Sequence, residues 1–269
     1  MNAIIEGVSF NYPSGVIALK EVSLKIMGGE AVAIIGENGA GKTTLAKHLN
    51  GLLEPTEGRV LIGDWDTQEH TVGQLSKRVG FVFQNPDDQL FARSVRAEVA
   101  FGPSNLGLNA EEVEVRTDQA LAQVGLKELA EHHPYDLHAA TRKLVAIAAT
   151  LAMGTPIVIF DEPTTGQDSR AVGHIGRLVE ELKSEGRTVI TISHDLDFCA
   201  EHSERFIVLS QGQVLADGPA ERVLSHEEVL HEAGVEAPQM VRLAKALDLP
   251  SSPRTVENFV EAWCVQRRA

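Results

Sequence analysis

The stretch that most constrains this chain is "GENGAGKT", Gly36 to Thr43. It follows the apolar run "EAVAII" and opens "KTTLAKHLNGLL", whose apolar spacing is helical. A glycine-rich turn between a buried strand and a helix lets successive backbone N–H groups face one anion. The helix N-terminus adds positive partial charge at the same place. The pattern G-x-x-x-x-G-K-[ST] in that setting reads as a phosphate cradle. Gly36, Asn38, Gly39, Gly41, Lys42, Thr43 and Thr44 are its candidate nucleotide-binding residues. Lys42 suits the β- and γ-phosphates, and Thr43 suits a Mg²⁺ ion. ATP and Mg²⁺ are therefore the expected cofactors.

A second piece lies at "PIVIFDEP", an apolar strand that ends in acids. A carboxylate at such an end, Asp161, can help hold Mg²⁺. Adjacent residues of a strand point to opposite faces, so Asp161 can serve the metal while Glu162 faces water. Glu162 is then the candidate to polarise an attacking water. His194 ends the strand "TVITIS" and suits the γ-phosphate and the orientation of Glu162. Gln84, at the end of "VGFVFQ", offers an amide to the metal and the water. Tyr12 in "SFNYP" offers a ring to stack on adenine.

The order of elements is that of an α/β layer structure, with strand and helix patterns alternating. From Asn85 to about Ala152 the pattern turns helical and interrupts the alternation. From about Ser225 to Ala269 it is again mostly helical, most clearly in "APQMVRLAKALDLP". The formal net charge of −14 argues against a general nucleic-acid binder, which shows a basic face. Cys199 and Cys264 are the only cysteines and lack metal-ligand spacing, as in a reducing compartment. The amino end lacks signal-peptide character, and no apolar run is long enough to span a bilayer. A soluble chain that reaches a membrane only through a partner is the expectation.

Together these residues resemble the ATPase subunit of ATP-binding-cassette transporters. Tyr12, Gly36–Thr43, Gln84, a helical insertion, Asp161 with Glu162, the loop "TTGQD" and His194 occur in that family's order, over roughly residues 3 to 224. "FQNPDDQLFARSVRAEVAFGPSNLGL" and the tail "LHEAGVEAPQMVRLAKALDLP" are similar to ATPases of energy-coupling factor transporters. The resemblance implies a P-loop NTPase core of RecA-like type, an antiparallel β subdomain and an inserted helical subdomain over about 85–152. It assigns 1–224 to the ATPase domain and 225–269 to a carboxyl-terminal helical extension that helps pair two ATPases. It implies ATP hydrolysis that powers uptake of a vitamin or transition-metal ion. The partners would be a second ATPase subunit, an integral membrane coupling protein and a substrate-binding membrane subunit. The chain would sit on the cytoplasmic face of the membrane.

One motif departs from the family. Where it carries L-S-G-G-Q, this chain has Leu137, His138, Ala139, Ala140 and Thr141. In the family two subunits pair head to tail, and each ATP lies between one subunit's phosphate cradle and the other's signature turn. The serine would cap the helix and bond the γ-phosphate. Alanine in left-handed geometry costs about 1–2 kcal/mol, whereas alanine is the best helix former. The turn is therefore expected to wind into helix and weaken the site it lends to a companion, unless His138 supplies a substitute donor. A heterodimer with one fully competent ATP site follows, with Asp168 on the loop at the dimer seam. In that loop Gln167 replaces a usual leucine. The competing readings are a regulatory ATP-binder and a cassette ATPase acting on nucleic acid or ribosomes. Retention of Glu162 and His194 opposes the first. The second needs a long coiled-coil insertion or tandem cassettes, and the sequence shows neither.

Overall fold

The computed structural model of the chain describes residues 1–249 and 253–266. The expected helicity of the tail at 250–252 and 267–269 lies outside them. Two sheets organise the fold. The first is four-stranded and antiparallel, in the order β2-β1-β4-β5. Its strands are β1 (Ala3–Asn11), β2 (Ile17–Ile26), β4 (Glu57–Ile62) and β5 (Trp65–Asp66). β1 reads with largely alternating burial, as a strand with one wet face does.

The second sheet is six-stranded, in the order β10-β9-β3-β8-β7-β6. It comprises β3 (Ala31–Ile35), β6 (Val79–Val82), β7 (Ile157–Asp161), β8 (Thr188–Ile192), β9 (Arg205–Ser210) and β10 (Gln213–Pro219). Only β10 runs antiparallel to its neighbour. Every residue of β3, β6, β7 and β8 is buried, which is why these strands are continuous apolar runs.

Period-two alternation sends their side chains into two cores. Val32 and Ile34 of β3, Ile157 and Ile159 of β7, and Ile190 and Ile192 of β8 pack toward the antiparallel sheet. With them pack Leu45, Ala46 and Leu49 of helix α1 (Lys42–Leu49). Ala33, Ile35, Val158, Phe160, Val189, Phe206 and Val208 face the opposite core. That core is closed by helices from later in the chain.

A one-turn helix α2 (Val72–Leu75) leads into β6. The segment between β6 and β7 is the helical insertion expected from the sequence. It holds α3 (Val95–Asn105), α4 (Ala110–Gln123) and α5 (Ala139–Ala152). Val95, Val99, Leu121, Val145 and Ile147 tie it to the main core. Next come α6 (Ser169–Ser184) and α7 (Leu196–His202). After β10 the chain continues through α8 (Ala220–Leu224), α9 (Glu227–Glu232), α10 (Gln239–Ala246) and α11 (Val256–Gln266). The tail folds back on the body: Glu37 N–H donates to Ala233 O at 2.9 Å, and Gln239 N–H to Asp197 Oδ1 at 2.7 Å.

Phe206 is 0% exposed and lies on β9, whose ladder partner β3 carries the phosphate-cradle turn. Replacing it with alanine removes a large side chain from a packed core. Phe206→Ala is expected to lose about 3–5 kcal/mol of stability, read as a lower urea midpoint.

Candidate functional site

The candidate residues meet because four adjacent parallel strands all stop at the same edge. The Gly36–Gly41 turn follows β3, His194 follows β8, Asp161 ends β7, and Gln84 follows β6. Across the sheet these strands are neighbours in the order β3-β8-β7-β6. Ligands of open α/β sheets bind at the carboxyl ends of strands for this reason.

The turn itself is shaped by packing as much as by any ligand. Gly36 has φ 149° and Gly41 φ 103°. A Cβ on Gly36 would lie 2.1 Å from the carbonyl oxygen of Leu209, and one on Gly41 2.6 Å from that of Ala18. No other residue fits either position. Asn38 and Gly39 are exposed at the tip of the turn, and Thr44 is buried in the first turn of α1. Lys42 is buried, and its ammonium donates to Gly36 O at 2.7 Å and Glu37 O at 2.9 Å. Burial lowers its pKa, opposed by Glu162, Asp161 and Glu37. Tyr12 is placed by its hydroxyl, 2.9 Å from Thr44 Oγ1, and by edge contact with Phe10.

Thr43 and Asp161 touch directly. The threonine hydroxyl lies 3.0 Å from Oδ2 and 3.2 Å from Oδ1 of the carboxylate. Asp161 is 2% exposed, and burial pushes its carboxyl above the usual range, against the hydrogen bond from Thr43. A buried carboxylate beside a hydroxyl, both oxygen donors, fits Mg²⁺, which binds through one or two carboxylates with phosphates and waters completing its shell. Among the described residues no group of three or more His, Cys, Asp or Glu forms a metal cage.

Glu162 parts from Asp161 by a different device from strand alternation. Its backbone is left-handed, φ 48°, held by Glu162 N–H to Ile192 O at 2.8 Å. A non-glycine residue there carries about 1–2 kcal/mol of strain, of the kind stored at functional sites. The turn hands its carboxylate to the loop after β8. Oε2 lies 2.8 Å from His194 Nδ1 and accepts from Ser193 Oγ at 3.3 Å. His194 stays largely exposed while the Glu162 side chain is buried. Gln84 is exposed and lines the same cavity of about 560 Å³ as Gly36, Asn38, Glu162 and His194.

The signature positions stand elsewhere. His138 precedes α5 with φ −62° and ψ 152°, and its imidazole makes no cap bond. Ala139, Ala140 and Thr141 already belong to the helix, as alanine's propensity requires. Leu137 is half-buried against the main core and receives Arg142 Nη1 on its carbonyl at 2.9 Å. Ala140, Thr141 and Asp168 line a separate cavity of about 420 Å³. Asp168 caps α6 through Ala171 N–H at 2.8 Å, and Gln167 Nε2 donates to Ala140 O at 3.2 Å. Within one chain, then, this turn does not join the phosphate cradle.

The profile of the ABC transporter domain family matches residues 19–165. The chain is 41% identical over 260 residues to the energy-coupling factor transporter ATP-binding protein EcfA of Methanothermobacter thermautotrophicus, covering 96% of this chain and 83% of that protein. It is an ATP-binding subunit of the ABC transporter family, of the energy-coupling factor type. The EcfA of Methanocaldococcus jannaschii is 40% identical, over 89% of this chain and 86% of the relative. Among solved structures, CbiO1 of Clostridium perfringens, part of the transporter complex CbiONQ, superposes with a TM-score of 0.76. It is 34% identical and covered to 98%, against 91% of this chain. The cassette MJ0796, solved as a dimer in a post-hydrolysis state with ADP and Pi, gives 0.74 at 30% identity, over 81% of this chain and 98% of that one. The chain is thus an ABC ATPase with the α/β cassette fold.

Sequence reasoning missed three contributors to the site. Ser193 was within reach, since it adjoins His194 at a buried strand end. The wall formed by Gly234, Val235, Pro238 and Arg242 was not, because nothing in sequence joins the tail to the cradle. Lys143 lies on α5, 2% exposed, and donates to the carbonyls of Phe83 at 2.9 Å and Gln84 at 2.5 Å. Burial pushes its pKa down to about 8, opposed by Asp161 and Glu162. Its signal was a lysine on the helical stripe that also carries Ile147 and Thr150, all three buried.

A carboxylate whose folded pKa is raised destabilises the protein as pH climbs from the ordinary carboxylate range through the raised value. Above that raised value the ionised Asp161 costs stability that a neutral isostere restores. Asp161→Asn is expected to raise the melting temperature of the nucleotide-free protein. It should also abolish the extra thermal stabilisation that Mg²⁺ adds to ATP, and cut turnover about 10²–10³-fold.

Proposed function

We infer that this chain is the ATP-hydrolysing subunit of an energy-coupling factor importer for a micronutrient, a vitamin or a transition-metal ion, and that it works in an asymmetric pair. The observation that carries the asymmetry is local. Ala139, Ala140 and Thr141 wind into α5 and His138 makes no cap bond, while the phosphate cradle, Asp161, Glu162, His194 and Gln84 keep one shared edge.

In this reading the phosphates of ATP lie in the Gly36–Gly41 turn, and Lys42 exchanges the carbonyls of Gly36 and Glu37 for β- and γ-phosphate oxygens. Tyr12 offers its ring to adenine. Thr43, Asp161 and Gln84 would hold Mg²⁺, which supplies charge neutralisation to the transferring phosphoryl group. Glu162 accepts a hydrogen bond from the attacking water and polarises it, and its carboxylate is aimed by His194 and Ser193. The strained backbone at Glu162 keeps that carboxylate from following Asp161. The products are ADP and inorganic phosphate.

Coupling to a membrane is supported by an apolar groove between the core and the helical insertion. Leu52, Val72, Phe91, Phe101 and Met153 line it, with Phe91 61% exposed. An amphipathic helix of a membrane coupling protein fits such a groove. Among the described residues no helix is long and apolar enough to cross a membrane. The chain then acts from the cytoplasmic face, with the solute read by a membrane subunit. Residues 225–269 form the extension that pairs the ATPases, and α11 presents Val256, Val260 and Val265 to solvent.

The weak half-site belongs to the companion's nucleotide. There the methyls of Ala139 and Ala140 stand where glycine backbone would approach, and His138 supplies no cap. Self-paired chain is expected to hydrolyse ATP slowly, and the triple replacement His138→Ser, Ala139→Gly, Ala140→Gly to raise its kcat at least about tenfold. Brisk hydrolysis by the unaltered self-paired chain would refute the asymmetric scheme. In the assembled transporter, Glu162→Gln should retain ATP binding and lose about 10²–10⁴ in kcat. An unchanged rate would favour a regulatory ATP-binder instead.

A further inference from the structure

The parallel ladder between β6 and β7 ends at Val82↔Phe160. Beyond that pair β6 and β7 part, while Asp161 stays in register with Ile192 of β8. One group bridges the gap between Phe83 and Gln84 on one side and Asp161 on the other: the ammonium of Lys143 lies 2.9 Å from Phe83 O, 2.5 Å from Gln84 O and 3.5 Å from Asp161 O. An ammonium has three protons and no acceptor, so these oxygens use its whole donor set.

The lysine is itself constrained. It is 2% exposed and among the largest fully buried side chains of the fold. It sits one turn inside α5, whose first residues are Ala139, Ala140 and Thr141. Its charge also opposes the carboxylates of Asp161 and Glu162. A buried ammonium is costly, and an apolar residue on this stripe of α5 would avoid that cost unless the three carbonyls needed it.

We propose that Lys143 is a positioning residue for ATP hydrolysis, its ammonium tying the helix behind the 138–141 turn to the main chain at Gln84 and Asp161. It touches neither phosphate cradle nor Glu162. It sets where Gln84 leaves the sheet relative to Asp161, so displacement of α5 by a companion subunit is felt at this chain's own metal and water positions. The proposal rests on the roles given above to Gln84 and Asp161.

The test uses the full chain in the assembled ATPase pair, with K143M, K143Q, Q84A, D161N and the double variant K143M/Q84A. K143M is expected to lower kcat about 10- to 100-fold, the effect of misplacing a reacting group by about an ångström, with KM for ATP within about twofold. K143Q, which keeps two donors, should fall between K143M and the unaltered protein. Because both residues act at one place, K143M/Q84A should lose no more than the worse single variant. Amide hydrogen exchange in K143M should quicken over residues 83–90 and stay unchanged in β9. Unaltered kcat in K143M, multiplied losses in the double variant, or faster exchange throughout the fold would overturn the proposal. If K143M does not fold, K143Q carries the same comparisons. If Q84A and D161N leave kcat unaltered, the site assignment fails, and the role of Lys143 with it. If they lower kcat and K143M does not, the role of Lys143 fails alone.

Discussion

Parallel strands buried on both faces leave only their ends for chemistry. In this chain β3, β8, β7 and β6 are buried over their whole length. Each spends its side chains on one core or the other. Polar groups that act on a ligand can stand only where a strand stops, and the in-register ladder makes these four stop together. The cradle turn, His194, Asp161 with Glu162, and Gln84 converge for that reason, although they come from segments up to 158 residues apart in sequence.

Concentrating carboxylates at a dry edge has an electrostatic cost, and the fold offsets it with two buried lysines. Lys42 comes from the cradle and Lys143 from the helical insertion, and both lie in the field of Asp161 and Glu162. Neither lysine is held by a carboxylate alone. Each donates to main-chain carbonyls: Gly36 and Glu37 for Lys42, Phe83 and Gln84 for Lys143. The cations thereby fix backbone as well as charge. Burial of charge and the left-handed backbone of Glu162 both store energy at this edge.

The positions where this cassette departs from its family also meet in space. Gln167 replaces a usual leucine, Ala140 a glycine, and the glutamine amide donates to the alanine carbonyl. The loop at the expected dimer seam is therefore fastened to the turn expected to face a companion's nucleotide. Asp168, next in the loop, is occupied as the cap of α6. The two changes meet at one place, apart from the edge proposed to hydrolyse ATP.

Much of this was legible in the residues. "GENGAGKT" between a strand and a helix fixes the cradle, because only glycine tolerates the backbone there. The structure adds that Gly36 and Gly41 are also pressed against the carbonyls of Leu209 and Ala18. The acids after "IVIF", the alternation of element types and the helical insertion were equally plain, since each rests on local periodicity. The helical start at Ala139 followed from propensity alone. What the sequence could not show depends on contacts between distant segments. It gave no sign that Glu162 is separated from Asp161 by a left-handed turn rather than by pleat alternation, because the turn is held by Ile192 of another strand. Nor could it show that residues 234–242 wall the cavity, or that Lys143 bonds carbonyls sixty residues upstream. Local rules determine which chemistry the chain carries. Only the closing of the sheet and the docking of α5 and the tail decide how those groups are aimed, since aim is set by hydrogen bonds that no neighbouring residue can make.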